Sequence, residues 1–362
     1  MKVKITKEDL LQGIQTVQHV VSTKATLPIL SNMLVETKKD TLRLYTTDLD
    51  IGISCEIPVS IMEDGAITIP AKRFSDIIRE FPSGDIIINA RKNNQIDIDG
   101  QHCSIKLLGL PKEEFPKFPE FKDKEAIKIK QADLKEMFRM TSFAVSHQES
   151  RYVLNGILME VTKDLLRLVA TDGRCLAKME CALLQPVAKD INFILPIKAV
   201  AEISRNLKDT GDVLFVPGMS QVMFDINGVL IATRIIEGDF PNYSQVIPKE
   251  APVKVKINTQ EFLAAIRRAN LLSVPEHQAV KFEIFKDKLV VSKTTPDIGE
   301  SREEIPIVYG GNEMMVGYNP QYMQDILKNI NNEFVELELT GQDTKCVIRK
   351  ENYVYLAMPM RF

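Results

Sequence analysis

The chain has 362 residues, of which 44% are apolar and 26% are charged, and its 46 basic and 49 acidic side chains leave a net charge of −3. Such a length predicts two or three domains, and the composition is typical of a soluble globular protein with no strongly biased tract. A charge this close to zero gives no sign of a nucleic-acid partner, so such a partner would require basic side chains concentrated on one part of the surface.

Neither the N-terminal segment nor the cysteines suggest export. The segment MKVKITKEDL contains no apolar stretch, and nowhere does the chain approach the roughly 18 continuous apolar residues of a membrane-spanning helix. The five cysteines are scattered and form no Cys-x-x-Cys pair, which fits a reducing cytosol better than a disulfide framework or a thiolate zinc site. We therefore expect a cytoplasmic protein that contacts no membrane and carries no metal ion or other cofactor.

One helical segment recurs three times along the chain. KITKEDLLQGIQTV starts at residue 4, KIKQADLKEMFRMT at residue 128 and KINTQEFLAAIRRA at residue 256. Apolar residues four positions apart, such as Leu10 and Ile14 or Leu134 and Phe138, predict one buried face of an amphipathic helix in each copy.

A second helical segment follows each of the first. IPAKRFSDIIREF begins at residue 69, LPIKAVAEISRNL at residue 195 and YNPQYMQDILKNI at residue 318. Pro70, Pro196 and Pro320 are predicted to open these helices, where the missing N–H costs nothing. Alternating runs broken by Ser-Gly, Asn-Asn or Asn-Gly follow the helices and predict antiparallel strands joined by tight turns.

Each repeat therefore consists of a helix, strands, a second helix and further strands. Pro-rich, charged segments at 113–126 and 238–252 separate the repeats and are typical of short linkers. The sequence predicts an α+β chain of three similar domains, each with two helices and antiparallel sheets, with boundaries at 1–121, 122–250 and 251–362.

A phrase that ends in threonine and a carboxylate also recurs, as LRLYTTD at 42–48, LRLVATD at 166–172 and LVVSKTTPD at 289–297. We interpret this phrase as structural, because threonine favours strands, aspartate favours turns and a repeat explains the recurrence. One alternative is a metal-dependent hydrolase that uses Asp48, Asp172 and Asp297; another is a repeat scaffold that binds only proteins. The sequence contains no P-loop, GxGxxG, HExxH or GxSxG motif.

Basic residues of the second helices share one spacing. Lys72 and Arg79 lie two turns apart on one side of a helix, Lys198 and Arg205 repeat this spacing, and Lys24 follows the first helix. This pattern is compatible with contacts to nucleic acid, although lysine and arginine are also ordinary residues of a solvated helix face.

Five segments carry a family resemblance: TLPILSNMLVE, HQESRYVLNGILMEV, LRLVATDG, GDFPNYSQVIPK and YLAMPMRF. Together they closely resemble the sliding clamp of bacteria, the β subunit of DNA polymerase III, along the whole chain. The resemblance implies a non-catalytic processivity subunit with three DNA clamp domains. Two copies would associate head to tail into a closed ring, with helices inside and strands outside. The ring would encircle double-stranded DNA without sequence specificity and tether the replicative polymerase subunit, the clamp loader and other clients with short clamp-binding peptides.

The resemblance also implies three sets of site residues. DNA contacts match Lys24, Lys72, Arg73, Gln148, Tyr152 and Val153, and the helix spacing adds Lys198 and Arg205. A groove for client peptides that contain glutamine and leucine matches Leu154, Thr171, Gly173, Arg174, Cys175, Leu176, Pro241, Val246, Leu356, Met358, Pro359, Met360 and Arg361. The dimer joint would set Ile105 and Leu107 against Leu271 and Leu272 of the partner subunit.

The chain departs from the family pattern at three places. Val153 stands where the familiar form has a second tyrosine. The family segment TDGHRLA reads TDGRCLA in this chain, and the family segment DYRRV reads NYSQV. We therefore expect the apolar floor of the groove to match the family, whereas its polar rim differs at Cys175 and Gln245.

Overall fold

The computed structural model describes residues 1–21, 27–119, 125–249, 253–339 and 345–362. Within these residues, helices and antiparallel strands alternate as the repeats predict, which confirms the α+β class. The chain divides into two compact units, one formed by 1–134 with 198–235 and the other by 135–197 with 236–362. No helix in the described part of the chain is long and apolar enough to cross a membrane.

Each repeat contributes two helices. They are α1 (Lys7–Val17), α2 (Ala71–Glu80), α3 (Gln131–Thr141), α4 (Ile197–Asn206), α5 (Thr259–Asn270) and α6 (Pro320–Asn329). The predicted faces of the first helices are confirmed, since Leu10 and Ile14 of α1 are fully buried. Thr6 begins α1 as its N-cap, because its hydroxyl accepts a hydrogen bond (3.2 Å) from the N–H of Asp9.

The prolines of the second helices differ from the prediction at two of three positions. Pro70 and Pro196 are the last residues of strands, and the helices begin one residue later. Only Pro320 occupies the first position of its helix, where Asn319 caps the N-terminus by accepting from the N–H of Gln321 at 2.9 Å. The fixed φ of proline suits an extended strand end as well as a first helical turn, so the sequence pattern did not distinguish the two.

The strands follow in chain order. The first repeat contains β1 (Lys2–Thr6), β2 (Asn32–Lys38), β3 (Thr41–Thr47), β4 (Ile51–Pro58), β5 (Ser60–Glu63), β6 (Ala66–Pro70), β7 (Asp85–Ala90), β8 (Gln95–Asp99) and β9 (Ser104–Leu108). The second contains β10 (Ile127–Lys130), β11 (Gly156–Thr162), β12 (Leu165–Thr171), β13 (Cys175–Ala182), β14 (Ile191–Pro196), β15 (Asp212–Pro217), β16 (Gln221–Ile226) and β17 (Val229–Arg234). The third contains β18 (Val253–Asn258), β19 (Val280–Ile284), β20 (Lys288–Thr295), β21 (Gly299–Pro306), β22 (Met314–Tyr318), β23 (Phe334–Leu339), β24 (Cys346–Lys350) and β25 (Tyr353–Ala357).

The first unit contains two antiparallel sheets. A five-stranded sheet has the order β5-β1-β7-β8-β9, and an eight-stranded sheet has the order β10-β15-β16-β17-β4-β3-β2-β6. The larger sheet joins strands of the first two repeats where β17 pairs with β4, with Ile231 opposite Ile53. This pairing gives both strands a second neighbour and removes two sheet edges.

The second unit follows the same plan. Its eight-stranded sheet has the order β14-β11-β12-β13-β25-β24-β23-β18, and its four-stranded sheet has the order β21-β20-β19-β22. Here β13 of the second repeat pairs with β25 of the third, with Leu176 opposite Leu356. The middle repeat thus shares its strands between the two units. The predicted boundary after residue 121 lies outside the described residues, as does the one after residue 250.

Candidate functional site

The turn between β12 and β13 is the first element of the candidate groove. The Asp172 carboxylate accepts hydrogen bonds from the backbone N–H groups of Arg174 (2.7 Å) and Cys175 (2.8 Å). The Thr171 hydroxyl accepts from the N–H of Gly173 (3.0 Å) and donates to the carbonyl of Cys175 (2.5 Å). Gly173 has a φ of +89°, which glycine adopts without strain. These bonds fix the position of Arg174 and Cys175.

The first repeat builds the same turn between β3 and β4. The Asp48 carboxylate accepts from the N–H groups of Asp50 (3.0 Å) and Ile51 (2.8 Å), and the Thr47 hydroxyl donates to the carbonyl of Ile51 (2.8 Å). Leu49 takes the left-handed conformation there, with φ of +80°. The repeated phrase therefore forms a turn, in agreement with the structural interpretation.

This geometry gives no support to the hydrolase alternative. The carboxylates of Asp48 and Asp172 cap backbone N–H groups, and Asp297 is an exposed turn residue with φ of +60°. Within the described part of the chain, no group of three or more histidine, cysteine, aspartate or glutamate side chains could hold a metal ion.

The floor of the candidate groove is an apolar cluster on the eight-stranded sheet of the second unit. Its buried members are Leu158, Val169, Leu176, Ile194, Val347 and Leu356, and its half-buried members are Val153, Ile236, Phe240, Tyr243, Ile247 and Val354. The pairing of β13 with β25 brings Leu176 and Leu356 together, although 180 positions separate them in the sequence. The floor is preformed, as a site that binds an apolar side chain requires.

The segment that follows the second repeat forms one wall. The Tyr243 hydroxyl donates to the carboxylate of Glu160 (2.5 Å), which also pairs with Arg167 (3.0 Å). Burial, and then this hydrogen bond, raise the pKa of Tyr243 to about 12. Farther along, the Lys345 ammonium donates to the carbonyl of Val246 (2.8 Å). The wall is therefore tied to the sheet at both ends.

The C-terminal segment forms the opposite wall. The N–H of Met358 donates to the carbonyl of Arg174, and the N–H of Met360 donates to the carbonyl of Gly317, both at 2.8 Å. A Cβ atom on Gly317 would lie 2.6 Å from the ring of Phe362, so only glycine allows this close approach. The two backbone bonds hold the last residues against the turn on one side and β22 on the other.

All thirteen predicted groove residues lie in the second unit. Leu154, Thr171, Cys175, Leu176 and Leu356 are buried; Pro359 and Met360 are half-buried; Gly173, Arg174, Pro241, Val246, Met358 and Arg361 are exposed. The expectation that Cys175 belongs to a polar rim is wrong, because its side chain is only 3% exposed. Burial, and then the nearby Asp172, raise the pKa of the Cys175 thiol, which is therefore neutral. Side chains alternate along β13, so Cys175 lies on the opposite face of the sheet from Leu176, and its thiol faces the carbonyl of Ala144 (3.9 Å). Gln245 is exposed, as expected for the rim.

One residue of this site was missed by the sequence reasoning. Tyr322 in α6 donates a hydrogen bond from its hydroxyl to the Asp172 carboxylate (2.5 Å), and burial, followed by this bond, raises its pKa. The two residues are 150 positions apart, so no local pattern links them. The bond restrains the carboxylate that organises the turn.

The predicted DNA contacts divide between the two units, and Lys24 lies outside the described residues. In the first unit, Lys72 and Arg73 are exposed on α2 and form no ion pair with any described residue. Lys198 pairs with Asp48, and Arg205 pairs with Glu202 on the same helix. The cations of α4 are therefore partly neutralised, whereas Lys72 and Arg73 carry unpaired positive charge.

In the second unit, Gln148 and Tyr152 are exposed, and the side chain of Tyr152 has 58% of its surface accessible. Val153 packs instead on the apolar floor of the groove. Gly238, with φ of +129°, allows the chain to pass close to Val153, since a Cβ there would lie 2.7 Å from it. At Val153 the side chain is therefore part of the groove.

The predicted dimer residues lie on β9 in the first unit and just after α5 in the second unit. Ile105 and Leu107 are half-buried on β9, and the neighbouring Leu108 is 73% exposed. Leu271, just after α5 in the second unit, is 83% exposed, and Leu272 is half-buried. Both regions present apolar surface to solvent within the single chain.

Comparison with known proteins defines the family. The models of the N-terminal, central and C-terminal domains of the DNA polymerase III beta subunit match residues 1–119, 128–242 and 244–361. The beta sliding clamp of Escherichia coli is 30% identical over the full length of both chains. The crystal structure of the Bacillus subtilis DNA polymerase sliding clamp shares 31% identity and covers 100% of this chain and 99% of its own, with a TM-score of 0.96. A Pseudomonas aeruginosa sliding clamp bound to griselimycin matches over both full chains with 29% identity and a TM-score of 0.95.

The fold and these matches define a protein made of three similar DNA clamp domains. The chain belongs to the DNA polymerase III beta subunit family, the bacterial sliding clamps, which are non-catalytic processivity subunits of the replicative polymerase. The resemblance seen in the sequence is therefore confirmed.

The turn geometry predicts different costs for two glycine substitutions. Gly173→Ala and Gly228→Ala each place a side chain at positive φ, which costs roughly 1–2 kcal/mol of unfolding free energy. At Gly173 the new Cβ would also lie 2.7 Å from the Arg151 guanidinium and displace its bond (3.1 Å) to the carbonyl of Asp172, a further loss of about 1 kcal/mol. At Gly228 no atom lies within 4 Å.

Chemical denaturation of the two variants measures this difference. Gly228→Ala serves as the control for backbone strain alone. Equal losses of stability in both variants would show that the contact of Gly173 with Arg151 has no energetic role.

Proposed function

We propose that the chain forms a closed ring as a head-to-tail homodimer, with helices lining the hole and strands outside. The ring encircles duplex DNA without sequence specificity in the cytoplasm, where bacterial DNA is replicated. Through the groove it tethers the replicative polymerase subunit, the clamp loader and other clients with short clamp-binding peptides. Membership of the sliding clamp family supports this proposal. The observation on which it mainly rests is a pair of open sheet edges that could join two copies of the chain.

Two of the open edges among the described residues are β9 and β21. β9 is the last strand of the five-stranded sheet and β21 the last of the four-stranded sheet, and among the described residues neither has a second neighbouring strand. At the other end of the four-stranded sheet, β22 is bridged to the C-terminal segment through Gly317 and Met360. Unpaired edges of this length invite pairing with another chain.

The side chains near the two edges allow one ionic and one apolar contact. β9 exposes Lys106 and Leu108, whereas β21 exposes Glu300 beside an ion pair of Arg302 with Glu304 (2.7 Å). Leu271 supplies exposed apolar surface in the same unit as β21. Pairing of β9 with β21 of the partner subunit would continue each outer sheet and bury the leucines. Two such heterologous joints related by a twofold axis close a ring.

A topological experiment tests the ring. The protein is loaded onto nicked circular DNA with a clamp loader and ATP, separated from free protein by gel filtration, and the DNA is then linearised. We expect retention on the circle and loss after the cut, because a closed ring leaves only over a DNA end. Retention that does not change on linearisation would contradict the ring, and absence from circular DNA would favour the protein-only scaffold.

Two matched variants link this result to the joint. Leu271→Asp places a charge in the proposed apolar contact and is expected to abolish retention on the circle. Met219→Asp changes another exposed apolar residue, 97% accessible and between β15 and β16, strands that take no part in the proposed joint, and is expected to leave retention unchanged.

Contacts with phosphate groups suit a clamp that slides. They position a protein on the duplex without reading its sequence, and non-specific dissociation constants are on the order of 10⁻⁴ to 10⁻⁶ M at physiological salt. Such weak contacts suffice when topology prevents escape, and the tethered polymerase rebinds at high effective concentration. Lys72 and Arg73 are the best candidates in the first unit, since both are exposed and neither forms an ion pair within the described ranges.

The salt dependence of DNA binding tests these two residues. Each phosphate contact contributes about 0.9 to the slope of log K against log salt concentration, so Lys72→Ala combined with Arg73→Ala should reduce the slope by roughly 2. Fluorescence anisotropy with a short duplex measures the slope. Lys254→Ala removes a lysine of β18 that pairs with Glu336 (2.7 Å) and should leave it unchanged. An unaltered slope in the double variant would refute the assignment.

The groove is suited to a short peptide. Its floor is apolar and combines buried with half-buried side chains, while Met358 and Val246 at its walls are 36% and 39% exposed. The half-buried and exposed residues retain surface that a ligand could cover. Methionine adapts its shape to different apolar side chains, which fits a site shared by several clients.

Peptide affinity tests the groove. Met358→Ala should weaken binding of a short peptide with glutamine and leucine by about tenfold, because the truncation removes apolar surface that the peptide would cover, and a loss of about 1.4 kcal/mol corresponds to tenfold. Isothermal titration calorimetry provides the measurement. Met219→Ala removes a methionine that is 97% exposed in the other unit and should not alter affinity. Equal affinity for all three proteins would exclude Met358 from the site.

A further inference from the structure

A cavity in the second unit lies next to the groove. It has a volume of about 610 Å³ and is lined by the loop 275–279, by residues of β19, β20 and β22, and by the C-terminal residues 360–362. Arg174, Met360 and Arg361 line this cavity and are also predicted groove residues, so the two sites are continuous.

Lys293 on β20 is the unusual residue of this cavity. The residue is among those that line the cavity although it is only 5% exposed. Its ammonium group donates to the backbone carbonyls of His277 (2.7 Å) and Ala279 (2.8 Å), and no carboxylate among the described residues pairs with it. One of its three N–H donors therefore has no partner in these contacts. A buried charge without a counter-ion destabilises a protein, so its presence calls for a functional reason.

The other repeats place apolar residues at the same position. The repeated turns align Thr47, Thr171 and Thr295, each followed two residues later by a residue with positive φ. Two residues before these threonines lie Tyr45, Val169 and Lys293, which are 2%, 0% and 5% exposed. The position is therefore buried in every repeat, and only the third copy fills it with a cation.

Aromatic residues cover the equivalent position in the first two repeats. Phe115 and Phe118 each pack edge-on against Tyr45, with ring centroids 5.3 Å apart. Phe240 and Tyr243 pack on the cluster that contains Val169. In the third repeat the corresponding position borders the cavity instead. The same position of the repeat is therefore covered by the protein's own aromatic side chains in the first two copies and borders a cavity in the third.

The charged side chains that line the cavity are predominantly basic. Arg174 and Arg361 line it and form no ion pair with any described residue, and Lys281 adds a third cation that is shared with Glu283 (3.1 Å). The only carboxylate side chain among the lining residues is that of Glu276, which is exposed. The cavity therefore combines a buried ammonium group with two further cations at its border, an arrangement that favours an anion.

We propose that this cavity binds a carboxylate side chain of a client peptide, at an aspartate or glutamate that flanks the segment seated in the groove. This inference rests on the proposed groove function and adds a second determinant of client choice. The free N–H of Lys293 would donate a charge-assisted hydrogen bond to the carboxylate, and Arg174 and Arg361 would contribute longer-range attraction. The cavity selects for charge, whereas the neighbouring floor selects for apolar side chains.

Peptide binding with matched extensions tests the proposal. Three kinds of fluorescent peptide are compared: the glutamine-and-leucine segment alone, the segment with a Glu-Glu extension, and the segment with a Gln-Gln extension, each extension placed at either end. For extensions at one of the two peptide ends, we expect the Glu-Glu peptide to bind about tenfold more tightly than the Gln-Gln peptide. This advantage should disappear in Lys293→Met and persist in Lys288→Met, which alters a lysine of the same strand that pairs with Glu304 (3.1 Å).

The outcomes separate this proposal from the groove itself. Tight binding of the unextended peptide without any preference for glutamate would overturn the proposal and leave the groove intact. A glutamate preference that survives in Lys293→Met would also overturn it, because the selectivity would then arise elsewhere. Weak binding of every peptide would refute both the cavity proposal and the proposed function of the groove. Lys293→Met should fold, since it replaces a buried cation by an apolar side chain of similar length. Lys293→Gln carries the same prediction if near-ultraviolet circular dichroism shows that Lys293→Met is not native.

Discussion

Backbone pairing between repeats is the interaction on which the rest of this molecule depends. Where β17 meets β4, and again where β13 meets β25, strands of two repeats join in one sheet of eight strands. The second of these joints creates the candidate groove, because it places Leu176 beside Leu356 and lets the segment after β25 reach the turn at Asp172. A site built in this way is as rigid as the hydrogen-bonded sheet beneath it, so little ordering is required when a peptide binds.

The same building plan supplies different chemistry at equivalent places. The threonine–aspartate turn is purely structural in the first repeat, whereas in the second it also presents Arg174 and anchors the C-terminal segment. The helices show a parallel divergence, since α2 carries the unpaired Lys72 and Arg73, while the cations of α4 are paired with acids. A weakly attractive surface suits a clamp, because strong phosphate binding would oppose sliding.

The sequence predicted features that depend on neighbouring residues and missed those that depend on distant ones. The four-residue spacing of apolar residues identified the buried faces of the first helices, such as Leu10 and Ile14, because residues four positions apart lie on the same face of a helix. The positions of Pro70 and Pro196 were misassigned, because proline suits both a strand end and a helix start. The bond from Tyr322 to Asp172 was not predictable, since it joins residues 150 positions apart. The burial of Cys175 followed from sheet packing, which its polar neighbours in the sequence concealed.

The attachment of the C-terminal segment has a consequence for how this family diversifies. The segment is held by backbone N–H groups at alternate residues, Met358 and Met360, and by the absence of a side chain at Gly317. Neither of the two backbone hydrogen bonds requires a particular side chain at Met358 or Met360. Mutation can therefore replace side chains of this segment that contact a ligand while the path of the main chain stays the same. Ligand preference at this wall can thus change without a change of fold.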